Sequence, residues 1–504
     1  MIKNAFVNPV IPGFHPDPSV CRAGDDYFLV TSSFEYFPGV PLFHSRDLVH
    51  WRQTGHCLTR TSQLNLDKAW SSGGIFACTI RWHDGLFYMI TTNVSDGGHF
   101  YVTANDPFGA WSDPVRIEGR GFDPDLFWDD DGTVFFTQNS FDGKGIRQAR
   151  IDLTTGKLLE ELRVVWPGFE DDRCEGPHLY KIDGRYYLMV AEGGTHHGHM
   201  EVIGRSDRPT GPFEPCPHNP ILTHRGKVTQ PVQATGHADL IQAADGSWWT
   251  VFLGIRPSGW GVHHLGRETF LAPVEWKEGW PVVNGGQPVA LSMSVDGLPS
   301  HPWPAQPERD DFDGKALVPC WNFRRNPPTG SWSLDERPGW LTLHGTAVSL
   351  DDTRPIAWAG RRQQHFDCTA QARMDFAATR ENDEAGLAVY MNERHHYEVG
   401  VTTVAGARSV FVRRRIGDLS AVTASELTDA NPIVLCVKAC GDRYDFGYYT
   451  AQGELRIIAS GLTRYLSSEV ATGFTGVYFA MYATGNGKPA ADAAGFDWFD
   501  YTAG

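Results

Sequence analysis

Helical periodicity, long apolar runs, paired cysteines and positive charge are all scarce in this 504-residue chain. Each shortage excludes something. With 44 Lys and Arg against 60 Asp and Glu, the formal net charge is −16, which repels phosphate backbones and anionic lipid surfaces, so neither nucleic acid nor membrane is expected as a partner. No run approaches the eighteen apolar residues that a membrane-spanning helix needs. The opening "MIKNAFVNPVIPG" lacks the charged-then-apolar layout of a secretory signal, and a cytoplasmic location is the expectation. Nine cysteines, an odd number scattered from Cys21 to Cys440 without a C-x-x-C pair, suit a reducing compartment and offer no thiolate metal site.

Aromatic residues, by contrast, are plentiful at 12% of the chain, 17 of them Trp, and they supply flat apolar faces for core packing or for stacking on sugar rings. The length exceeds what one hydrophobic core supports, and two domains are expected. Short β-branched and aromatic runs bounded by Gly, Asp and Pro recur throughout, the mark of an all-β protein.

Those runs repeat. "HDGLFYMITT" at 83, "DDGTVFFTQ" at 130, "IDGRYYLMV" at 182 and "ADGSWWTVF" at 244 each set Asp-Gly before an aromatic-rich strand, and "AGDDYFLVTS" at 23 is an imperfect fifth copy. Five such units over about the first 300 residues predict a five-bladed β-propeller. Eight residues before the turn aspartates stand Asp17, Phe76, Asp123, Glu175 and His237. The first strand of every blade lines the central channel, so these side chains are predicted to converge on one funnel. Asp17 lies between Pro16 and Pro18 in "GFHPDPS", where the backbone has little freedom and the carboxylate is aimed.

Three converging acids match glycoside cleavage, in which one carboxylic acid protonates the leaving oxygen and one carboxylate activates water or attacks. Glu175, with its longer arm, is the candidate acid, Asp17 the base, and Asp123 the neighbour that raises and orients Glu175. His237 on the axis is a candidate ligand for a water-rich cation. "THHGH" at 195–199 lacks a partner carboxylate spacing and reads as a polar loop rather than a zinc site. Asn93-Val94-Ser95 is a glycosylation sequon that matters only on secretion. Arg267 offers a forked donor to a substrate hydroxyl or carboxylate.

"HPWPAQPE" at 301–308 is a Pro-rich linker. Beyond it, from 309 to 504, alternating runs such as "GWLTLHG" and "HYEVGVTT" predict an antiparallel β-sandwich that supports the propeller or closes its pocket with a loop.

"NPVIPGFHPDPSV", "SSFEYFPGVPLFHSRDLVHW", "GFDPDLF", "EGPHLY", "AEGGT", "GHADL" and "GRETFLAPVEW", in this order, resemble glycoside hydrolase family 43, and nearly the whole chain resembles its two-domain β-xylosidases with a concanavalin-like C-terminal sandwich. The resemblance implies Asp17 as base, Asp123 as pKa modulator and Glu175 as general acid. It also implies a central calcium, or sodium, at His237, substrate contacts from Arg267 and Phe34, and a Phe of "GFTGVYFAMYA", here Phe474, reaching over the pocket. Where many relatives have "GGIWAP", this chain has "GGIFAC", which puts the smaller ring of Phe76 in the sugar pocket. Asp125 adds a fourth acid that is expected to shift the site's titration or bind a cation. The implied activity is an exo-acting, inverting release of xylose from the non-reducing ends of β-1,4-xylo-oligosaccharides. Two alternatives accompany it: an α-L-arabinofuranosidase, alone or as a dual activity, and a glycan-binding propeller without turnover. A homo-oligomer is compatible with all three.

Overall fold

The computed structural model describes residues 4–170, 173–295 and 298–504. Among the described residues strands dominate, and the single α-helix is the four-residue Ser468–Ala471. Among the described residues no helix is long and apolar enough to cross a membrane.

The N-terminal part is five antiparallel sheets of four or five strands. Their first strands, Ser19–Ala23, Thr79–His83, Phe122–Trp128, Glu175–Ile182 and Gln233–Gln242, pack side by side in a closed ring around the axis. The repeat explains each hairpin locally. Asp84-Gly85 and Asp183-Gly184 both hold positive φ at the two central positions, the backbone that a tight two-residue hairpin requires. Asn4–Val7 pairs with Ser292–Val295, so the two ends of the propeller segment are tied together by hydrogen bonds.

The C-terminal part is a sandwich of an eight-stranded and a six-stranded antiparallel sheet. Residues 301–308 form no strand, yet Trp303 anchors them to the first blade. Its indole N–H donates to the carbonyls of His44 and His50 at 3.2 and 3.1 Å, and the Arg52 guanidinium covers its ring at 4.4 Å. The two domains also exchange backbone hydrogen bonds, because Tyr36–Phe37 of the propeller pairs with Phe323–Arg324. One apolar cluster runs from Val40, Leu64 and Ile75 of the propeller into Phe323, Leu387 and Val399 of the sandwich. None of the nine cysteines lies in a disulfide, and seven of them are buried.

Candidate active site

The ring of first strands opens into a small recess. Asp17, Asp123, Glu175, His237, Arg267, Phe34, Phe76 and Phe474 all line it, so of the residues singled out from the sequence for catalysis, substrate or metal the structure gathers all except Asp125. Ala77, Phe122 and Thr195 complete the wall.

Local backbone geometry aims the polar groups. Asp17, Asp123 and His237 hold matching left-handed conformations, with φ of 54°, 53° and 50°. A residue before proline favours extended backbone, so Asp17 departs from what its flanking prolines lead one to expect. The contacts of its side chain account for this. Ser32 Oγ donates to Asp17 Oδ2 at 2.5 Å, and Arg267 donates to Oδ1 at 2.7 Å. Strained conformations of this kind persist where surrounding structure over-determines them, commonly at functional sites. Gly176, at φ 57°, must be glycine: a Cβ there would meet His237 Nε2 at 2.7 Å. That close approach lets the Gly176 N–H reach Asp123 Oδ2 at 3.0 Å.

The three carboxyls titrate apart. Burial alone would raise Asp17, but Arg267, His237 and Ser32 together hold it below the ordinary aspartate value, so it stays ionised. Burial first, and then the charge of Asp17, push Glu175 up to about 7. Burial, Glu175 and Asp17 push Asp123 well above its ordinary value. The expectation that Asp123 supplies the charge raising Glu175 is therefore revised: Asp17 is the charged neighbour of both, and Glu175 in turn raises Asp123. One ionised carboxylate thus stands beside a carboxylic acid that is protonated near neutrality, the pairing that acid–base cleavage of a glycosidic bond uses.

Arg267 spans Asp17 and Thr195, whose Oγ1 accepts from it at 3.0 Å, and its guanidinium carbon lies 5.8 and 5.7 Å from the rings of Phe34 and Phe474. Phe34 and Phe474 stack at 6.0 Å with 29° between planes, and Phe76 meets both edge-on or tilted. The "THHGH" loop is more than polar surface: Thr195 touches Arg267, and buried His199 places Nδ1 3.9 Å from Glu175 Oε1. Burial lowers His199 to about 3 and keeps it neutral.

Asp125 lies elsewhere. It is fully buried below the recess, paired with Arg81 at 2.9 Å, and accepts from the Leu179 N–H at 3.0 Å. Arg81 also pairs with Asp239 at 2.8 Å and reaches His178 Nδ1 at 2.8 Å. The cation that meets Asp125 is thus a guanidinium. The residues fit a protein-chelated divalent ion poorly: among the described residues no group of three or more His, Cys, Asp or Glu could hold one. His237 fits a water-held ion better, because burial lowers it to about 4 and leaves the imidazole neutral, with Nδ1 3.7 Å from Asp17 Oδ1.

The family model for glycosyl hydrolases family 43 matches residues 6–281, and that for the beta xylosidase C-terminal concanavalin A-like domain matches residues 309–502. The chain belongs to glycosyl hydrolase family 43. It is a glycosidase of the family's xylosidase and arabinofuranosidase group, with the five-bladed propeller and concanavalin-like sandwich expected of it. It is 45% identical to the non-reducing end alpha-L-arabinofuranosidase BoGH43B of Bacteroides ovatus, over 99% of this chain and 95% of that protein. A xylosidase/arabinosidase of Butyrivibrio fibrisolvens is 37% identical over 98% of each chain. The crystal structure of xylan beta-1,4-xylosidase from Bacillus halodurans C-125 superposes with a TM-score of 0.92 at 33% identity, covering 99% of this chain and 100% of that one.

Proposed function

We propose that this family 43 enzyme is an inverting exo-glycosidase that removes one terminal pentose from the non-reducing end of plant-type oligosaccharides. The observation that carries this reading is the shape of the recess. The acids stand at its floor, and Phe474, from the sandwich, stands across its rim. In this reading Phe34, Phe76 and Phe474 pack the sugar ring, and Arg267 fixes Asp17 while pointing a donor at a sugar hydroxyl. Asp17 activates a water on one face of the anomeric carbon. Glu175 protonates the leaving oxygen from the other face, which calls for carboxyls about 6.5–9.5 Å apart with a water between them.

Two pentoses compete. The β-xylosyl reading follows from the likeness of the whole chain to two-domain β-xylosidases. The α-L-arabinofuranosyl reading gains from the 45% identical arabinofuranosidase and from the smaller ring of Phe76. We rank arabinofuranosidase first and β-1,4-xylosidase second, with both expected at measurable rates. Release of p-nitrophenol from the α-L-arabinofuranoside and from the β-xyloside by wild type and Asp17→Ala tests this. Release from neither, or equal rates in the variant, overturns it. Proton NMR of a β-xyloside digest should show α-xylose first, and initial β-xylose would remove Asp17 from the role of base.

For the axis we propose a calcium or sodium ion held at His237 mainly through water. Such an ion would offset the negative charge of Asp17. Strong chelation followed by calcium titration, read by both melting temperature and calorimetry, tests the site; no heat and no thermal shift removes it. The free thiols support a reducing, cytoplasmic setting.

A further inference from the structure

The rim residue Phe474 belongs to the sandwich, yet its backbone is held by the propeller. Its N–H donates to Ser72 Oγ at 2.8 Å, and the Ser72 N–H donates in turn to Glu35 Oε2 at 2.9 Å. Both Glu35 and Ser72 are buried, and Ser72 adopts a left-handed φ of 64° that turns its hydroxyl toward the rim. Gly473 permits the approach: a Cβ there would meet Ser72 Oγ at 2.5 Å. Glu35 directly follows Phe34, which lines the same recess and stacks with Phe474, and its carbonyl accepts the N–H of Arg325 at 2.8 Å. The neighbouring Ser71 hydroxyl bonds to Glu393 of the sandwich, and Asn392 donates to the carbonyl of Ala471 at 3.0 Å.

We propose that Glu35 and Ser72 are positioning residues that latch Phe474 over the terminal-sugar site and thereby set the affinity for the sugar. The inference rests on the exo-glycosidase reading of the recess. Neither residue touches the reacting atoms. Each acts through one directional bond: Glu35 orients Ser72, Ser72 orients Phe474, and the stacked pair Phe34 and Phe474 then presents a fixed apolar wall to a sugar ring. The buried Arg325 guanidinium faces the same carboxyl and opposes the effect of burial on it. The latch also explains why a residue of the second domain can serve a site built by the first.

Ser72→Ala deletes the acceptor with little change in volume. The expected result is a rise of about tenfold in KM for the preferred aryl pentoside, with kcat within about threefold of wild type, since a binding contact is lost and the acids are untouched. Phe474→Ala should raise KM at least as much, and adding Ser72→Ala to it should change nothing further; additive losses would overturn the latch. Glu35→Gln keeps an acceptor for the Ser72 N–H and should restore most of the affinity that Glu35→Ala loses. Hydrogen exchange of the 470–478 segment supplies a readout without substrate: exchange at least about tenfold faster in Ser72→Ala supports the latch. Unchanged protection overturns it, even if no pentoside is cleaved and the functional reading fails on its own.

Discussion

Two clusters of buried carboxylates lie on the same propeller axis, each around one guanidinium, and they differ in how many acids that cation must balance. In the recess, Asp17, Asp123 and Glu175 share Arg267. Below them, Asp125 and Asp239 share Arg81, with Tyr180 and Ser19 donating to Asp239 at 2.6 and 2.7 Å. The lower cluster is nearly balanced, and the charges and hydrogen bonds around Asp239 outweigh its burial and lower it to about 2. The upper cluster has more acids than cations, and burial with the Asp17 charge pushes Glu175 to about 7. The chemistry differs although the residue types are the same. A balanced set is a structural pin, while an unbalanced one keeps a proton available near neutral pH.

The contrast can be broken from either end. The largest effect is expected from Asp17→Ala, which removes the ionised member of the upper set and should lower kcat about a thousandfold, the scale of a lost general base, with folding retained by circular dichroism. Next comes Arg81→Met. It strands Asp125 and Asp239 without a counter-charge, and urea unfolding should show a loss of about 3–5 kcal/mol. A kcat effect without a stability effect would mean that the lower set belongs to the catalytic site. Third, kcat/KM should fall as pH rises through about 7, because Glu175 must carry a proton to act. Asp17→Asn should move the Glu175 titration, followed by carbon NMR, to lower pH; no movement would show that burial alone sets it. Smallest is the acid response of Asp239. Its folded value, near 2, lies below the ordinary 3.8, so its stabilising contribution is present above about pH 4 and lost as pH falls toward 2. Asp239→Asn should flatten that part of the stability profile.

The repeat made the funnel legible. Residues at one offset from five similar turns had to meet on the axis, and Asp17, Phe76, Asp123, Glu175 and His237 do line one recess. Residues off that offset carried no such signal. Phe122 adjoins Asp123 but reaches the recess only because the backbone bulges between Phe122 and Asp125. Thr195 comes from the loop joining Arg185–Glu192 to Met200–Ser206, and its histidine-rich surroundings suggested surface. Arg81 sits within the second blade's inner strand, and its charge partners are 44 and 158 residues away, a relation no local pattern encodes. Glu35 and Ser72 were hidden for the same reason, since their purpose appears only once residue 474 is folded back upon them. Phe34 and Phe474 came from family likeness alone, whereas Arg267 was also readable as a forked donor, and the structure supplies their physical setting.

The pairing of Tyr36–Phe37 with Phe323–Arg324 means that the propeller's rim is finished by chain that follows more than 280 positions later. A fragment ending before that segment would expose an unpaired strand edge at the wall of the sugar recess and leave Ser72 facing water. The two modules are thus less a catalyst with an appendage than one cavity written in two places along the gene, and exchange of either half with a relative's would have to preserve this seam for turnover to survive.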